Sequence, residues 1–191
     1  MEREEQSISD EVLIRAVQQG DRDAGACLYQ RHVDRVHRIC YRILLDGSQV
    51  ADCVQEVWVK VFQQARRIDR ERSFASWLNR VAANTAIDYY RRHRRLAKRL
   101  SLDAVRIETL PTEARDLDHA LLYQRIQEAL QEIAIKQRTA LVLRYLEGMS
   151  PEEIASVLGC RSGTVRTHIR RCLVALRKKL ASDADLLGFE P

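Results

Sequence analysis

Apolar residues recur at helical spacing along nearly the whole chain. Val12, Leu13, Ala16 and Val17 form a first stripe, which Ser9-Asp10 can cap and Gly20 can end. A second starts at Asp21 and runs through Leu28, Val33, Val36, Ile39, Cys40 and Ile43 to about Leu45; Gly25 weakens its start. After the turn Asp46-Gly47-Ser48, the residues Val50, Val54, Val57, Trp58, Val61 and Phe62 step by 4, 3, 1, 3 and 1, one face of a helix from Gln49 to about Ala65. Asp52, Gln55, Glu56 and Lys60 lie on its other faces. Ser73 can cap a fourth helix carrying Phe74, Trp77, Leu78, Val81, Ala82, Thr85 and Ile87 on into Tyr89-Tyr90. Four such helices predict a bundle over residues 10–95, long enough for its own core.

The periodicity breaks over residues 96–118, where Pro111 and five acids mark an acidic linker. It resumes in 119–180. Leu121, Leu122, Ile126, Leu130 and Ile133 make one helix, and Gln137 to Leu146 another. Ser150-Pro151-Glu152-Glu153 is a helix start: an N-cap, a proline in the first turn, and acids at the positive end of the dipole. That helix carries Ile154, Ala155, Val157 and Leu158 and stops at Gly159. Ser162 or Thr164 opens the last, with Val165, Ile169, Cys172, Leu173, Leu176 and Leu180 on one stripe. The expected fold is all-α: two small helical domains joined by a flexible linker.

Composition changes little in this picture, but charge changes more. The 191 residues hold seven Gly and three Pro, too few for a turn-rich β fold. No apolar run approaches the roughly 20 residues of a membrane span. Residues 1–11 carry five acids and one base, the opposite of a signal peptide. A soluble, cytosolic chain is expected. The net charge of +5 divides as +3 over 1–95, −1 over 96–118 and +3 over 119–191. Two acid-free blocks hold most of the excess: six bases in Tyr89–Leu100 and seven in Arg161–Leu180. Two basic blocks far apart in sequence point to two contacts with a polyanion.

Ser150–Leu180 has the requirements of a helix-turn-helix. Ala155 is small where two helices must cross, Gly159 allows the sharp turn, and Val165 and Ile169 anchor the second helix. That leaves Arg161, Ser162, Thr164, Arg166, Thr167, His168, Arg170 and Arg171 for bases and phosphates in the major groove. Around the other block, aromatics alternate with cations, a pattern suited to unstacked bases. Phe74 and Trp77 sit on the apolar stripe and are expected in the core; Asn84 and Arg91–Arg95 are the surface candidates. Five cysteines at 27, 40, 53, 160 and 172 include no CxxC pair and match no zinc spacing, so plain thiols and no metal are expected. The five histidines are scattered, and HExxH, P-loop and GxSxG motifs are missing, so no enzymatic activity and no cofactor are expected. On these grounds alone the chain reads either as a polymerase specificity subunit or as a free-standing regulator that binds a palindromic operator.

Four segments together decide between these. GDRDAGACLYQRH, VADCVQEVWVKVF, SFASWLNRVAANTAIDYYRR and MSPEEIASVLGCRSGTVRTHIRRCLVALRKKL, in this order, resemble a group 4 bacterial σ factor, of the extracytoplasmic function (ECF) type. The resemblance spans about residues 10–180. It implies that 10–95 is a region 2 domain and 119–180 a region 4 domain, and that the linker threads the RNA exit channel. Asp52, Gln55, Glu56 and Lys60 would contact the β′ clamp of core RNA polymerase, whose β flap is a further implied partner. Asn79, Asn84, Thr85, Tyr89, Arg91, Arg92, Arg94 and Arg95 would read the −10 promoter element, with a flipped base held near Asn84. Residues Arg161–Arg171 would read the −35 element. An anti-σ factor, often membrane-bound in this family, is implied as the inhibitor, and a stress or envelope response as the regulon. Gly25 and Cys27 depart from the bulkier apolar residues usual in the family, and His168 from the usual arginine. Only a short tail, 181–191, follows the last helix, so no added sensory domain is expected.

Overall fold

A computed structural model describes residues 8–65, 68, 73–99 and 117–181, with side chains described up to residue 96 and again from residue 124. Among the described residues there are eight helices and no strand. They are α1 (Asp10–Gln18), α2 (Arg22–Leu44), α3 (Gly47–Gln64), α4 (Phe74–Arg99), α5 (Leu117–Gln131), α6 (Ile135–Tyr145), α7 (Pro151–Leu158) and α8 (Ser162–Ala181).

Local chemistry sets most of the boundaries. Asp21 accepts from the backbone N–H groups of Asp23 and Ala24 and so starts α2. Asp46 does the same for α3 through Ser48. Gly20 closes the turn after α1 with a φ of 96°. Leu45, at the end of α2, is the one non-glycine residue in the left-handed region among those described, and it is buried. The α4 helix continues to Arg99, four residues into the segment expected to be linker, and α5 begins at Leu117. The rest of the acidic linker lies outside the described residues.

Helices α1 to α4 pack as the expected bundle. Val36, Ile39, Ile43, Val57, Leu78 and Ala82 are fully buried between α2, α3 and α4. Each large aliphatic side chain buried in this way contributes about 1.5–3 kcal/mol relative to exposure. Asp10 ties α1 to α2, with its carboxylate 2.7 Å from Arg31 and 2.8 Å from His32. Gly25 does not interrupt α2. A Cβ there would stand 3.3 Å from the Phe62 ring, so the glycine lets α3 approach closely. Cys27 is exposed, whereas Cys40 and Cys53 are buried with sulfurs 3.6 Å apart.

Helices α5 to α8 form the second unit around Leu143, Ile154 and Val165. The two units share one buried cluster, in which Ala140, Val142 and Leu143 of α6 join the side chains of α2 and α4. Nothing in the periodicity predicts that contact.

Candidate nucleic-acid interface

The helix-turn-helix is built from its first cap. Ser150 Oγ accepts from the Glu153 N–H at 3.2 Å, and Glu153 Oε2 accepts from the Ser150 N–H at 2.8 Å, a complete capping box. These bonds hold the Glu153 carboxyl below the usual carboxylate range, the backbone N–H of Ser150 having the largest effect. Gly159 ends α7 in the left-handed conformation, with a φ of 61°. Val165 is fully buried beneath α8, and Ala155 is buried in α7. Arg161, Thr164, Arg166, Thr167, Arg170 and Arg171 are all exposed along the first three turns of α8. This is a cationic helix face whose N-terminal turns stand free to enter a groove.

The basic block of α4 is anchored differently. The Arg92 guanidinium pairs with the Glu56 carboxylate of α3, and Lys60 Nζ lies 2.9 Å from the same carboxylate. Lys60 also donates to Thr85 Oγ1 at 3.2 Å. Arg92 holds the Glu56 carboxyl below its ordinary range, with Lys60 helping. Tyr89 is buried beneath this pair and stacks on His93, with centroids 4.2 Å apart. Arg91, Arg92, Arg94 and Arg95 remain exposed, and Asn84 is half-buried.

Two family descriptions match this arrangement: Sigma-70 region 2 over residues 28–96, and Sigma-70, region 4, over residues 123–176. The ECF RNA polymerase sigma factor SigW of Bacillus subtilis is 30% identical over 177 residues, covering 87% of this chain and 94% of its own. The chain belongs to the ECF RNA polymerase sigma factors. The ECF RNA polymerase sigma-E factor of Escherichia coli is 29% identical, with 92% of this chain and 96% of that protein covered. The fold is that of the Bartonella quintana sigma factor RpoE, solved in complex with the anti-sigma factor NepR. That likeness has a TM-score of 0.65 at 22% identity, covering 81% of this chain and 95% of that one.

As a sigma factor the protein is a transcription initiation factor that works with core RNA polymerase and promoter DNA, not an enzyme, and the palindrome-binding regulator is not favoured. Among the described residues no helix is long and apolar enough to cross a membrane.

The sequence-predicted sites of this sigma factor divide by exposure. Asp52 and Gln55 stand exposed on α3. Glu56 and Lys60, expected on the same free face, are instead occupied with α4. Asn79, Thr85 and Tyr89, expected at the DNA surface, are buried, because helical spacing turns them toward neighbouring helices rather than outward. His168 is half-buried beside Lys136 and Arg171, and burial, followed by these cations, lowers its pKa; it does not share the open face of α8. Ser162 begins α8 and is half-buried. Leu173, placed on the apolar stripe, is 43% exposed, with Val174 beside it at 61%.

Sequence reasoning missed Arg138. It is 1% exposed, donates from Nη1 to the Leu130 carbonyl at 3.0 Å, and lies 5.7 Å from the centroid of the Tyr90 ring. Burial lowers its pKa to about 10. An arginine flanked by Gln137 and Thr139 in a short helix gives no signal that it is buried.

Proposed function

We propose that this sigma factor divides promoter reading between its two exposed basic faces. The arginine-bearing outer face of α8 reads the −35 element as duplex, through Arg161, Thr164, Arg166, Thr167, Arg170 and Arg171. The exposed end of α4, with Asn84 and Arg91, Arg92, Arg94 and Arg95, takes the −10 element as it opens. Asn84 is the residue assigned to a flipped base, since its half-exposed amide offers both a donor and acceptors. Asp52 and Gln55, on the outward face of α3, contact the polymerase clamp, and Glu56 with Lys60 holds α3 against α4 while that contact is made. The domains remain those of the sequence reading, with the region 2 helix α4 extended to Arg99. An anti-sigma factor is the proposed inhibitor, as NepR partners the Bartonella sigma factor, and a stress or envelope response is the proposed regulon. The working place is then the bacterial cytoplasm, at the polymerase.

The observation that carries this reading is the exposed, acid-free cationic face of α8 set behind a fully capped α7. Run-off transcription with core polymerase on a promoter template tests it. The wild-type chain is expected to direct specific transcripts. Asn84→Ala should impair opening of the −10 region, read by permanganate footprinting, and leave core binding intact. Loss of core binding in that variant would remove Asn84 from the base-reading role.

A further inference from the structure

The cations of α4 are not equally available. Arg94 and Arg95 have no recorded carboxylate partner among the described residues. Arg91 lies 3.7 Å from Asp88, a single exposed pairing of the kind that contributes little in water. Arg92 is held more firmly. Its guanidinium donates to both oxygens of the Glu56 carboxylate of α3, from Nη1 to Oε1 at 3.3 Å and from Nη2 to Oε2. Lys60, one turn further along α3, brings Nζ to 2.9 Å from the same Oε1. That ammonium also donates to Thr85 Oγ1 at 3.2 Å, and Thr85 is buried next in the chain to Asn84. One carboxylate therefore occupies two cations beside the residue assigned to the flipped base. The Arg92 side chain nevertheless stays 55% exposed, so a phosphate can approach it from solvent.

We propose that Glu56 is a specificity-determining residue, a built-in counter-anion that withholds Arg92 and Lys60 from nucleic-acid phosphate and so keeps the sequence-blind affinity of the −10 face low. This rests on the functional reading above, in which α4 takes the −10 strand. Phosphate contacts count equally for every sequence, because each displaces counterions from the backbone whatever the base. A base at Asn84 counts only where it fits.

With Glu56 in place, a phosphate gains Arg92 only by taking it from a forked, charge-assisted pair. The carboxylate left behind then needs a counterion of its own. That exchange releases almost no net salt and adds little affinity. With a neutral side chain at position 56, both cations bind phosphate outright. The counter-anion is present throughout neutral pH, since Arg92, with help from Lys60, holds the Glu56 carboxyl below its ordinary range.

Glu56→Gln keeps the shape of the side chain and removes its charge. Anisotropy of a fluorescein-labelled single strand of mixed sequence, titrated with the full chain over a range of salt, reads the effect. The variant is expected to bind this strand roughly fivefold more tightly at low salt and to steepen the slope of log affinity against log salt by about 0.7 for each cation released. Adding Arg92→Gln should remove most of the gain. In run-off transcription with core polymerase, the same strand should inhibit Glu56→Gln at roughly fivefold lower concentration than wild type. A merely structural role predicts the opposite sign, because a loosened contact between α3 and α4 weakens binding. Unchanged or weaker strand binding by Glu56→Gln overturns the inference, as does a gain that persists after Arg92→Gln. Unchanged strand binding together with lost core binding would make Glu56 a clamp contact instead. Arg94→Gln combined with Arg95→Gln judges the functional reading separately. If that pair weakens strand binding while Glu56→Gln does not strengthen it, only the role of Glu56 falls. If neither changes binding, α4 is not the strand-binding face and the functional reading falls with it.

Discussion

Glu153 serves two elements through one carboxylate, accepting from the Ser150 N–H at 2.8 Å and from Ser76 Oγ of α4 at 3.3 Å. Its pKa is depressed below 4.5, so its contribution to stability is present above the unfolded value and is lost as pH falls through the folded one. Acid titration of wild type should therefore show stability falling below about pH 4.5, and part of that fall should be missing in Glu153→Gln. Ser150→Ala should cost about 1 kcal/mol in denaturant unfolding at neutral pH, the usual cost of losing a cap. An unchanged midpoint would mean that solvent satisfies the Glu153 N–H equally well. The Ser-Pro-Glu-Glu run displays this cap in the sequence because its geometry is local. Asn79 and Thr85 show the limit of such reading. Both are polar, Asn79 beside the apolar stripe and Thr85 on it, and only the place of the adjacent helix decides that both are buried.

At the scale of elements, α8 and α4 carry similar charge in different circumstances. The outward arginines of α8 have no recorded ion pair among the described residues, whereas Arg92 of α4 is neutralised by Glu56 and Arg91 lies 3.7 Å from Asp88. The free face should dominate duplex binding. Arg171→Ala is expected to weaken binding to a −35 duplex and to lower the slope of log affinity against log salt by about one, as measured by fluorescence anisotropy between low and physiological salt. A weakened affinity with an unchanged slope would remove Arg171 from phosphate contact. The helices themselves were largely legible, since a stripe at 3.6-residue spacing, an Asp cap and a terminal glycine are all written within one segment. The faces were less so. Leu173 fits the stripe by spacing, yet it is 43% exposed because the neighbours of α8 cover the adjacent Cys172 side instead.

For the whole molecule, the division into two domains and the contact between them have different origins in the sequence. The break in periodicity at 96–118 shows that there are two units, but whether they touch depends on Arg35 meeting Glu147, 112 residues later, and no local pattern encodes such a pairing. The consequence is cooperativity. Ala140, Val142 and Leu143 belong to the same buried cluster as Val36, Val57 and Leu78, so unfolding either unit strips apolar cover from the other. The two tryptophans of the chain, Trp58 and Trp77, both lie in the first unit, whereas the far-ultraviolet dichroism sums over helices in both. Tryptophan emission and dichroism should therefore report coincident midpoints in urea for wild type. In Glu147→Arg, where the shared face is disrupted, the dichroism should separate into two steps, with emission following only one of them. Two distinct midpoints already in wild type would mean that the shared cluster transmits too little free energy to couple the units, and each would then unfold as an independent domain on the short chain that joins them.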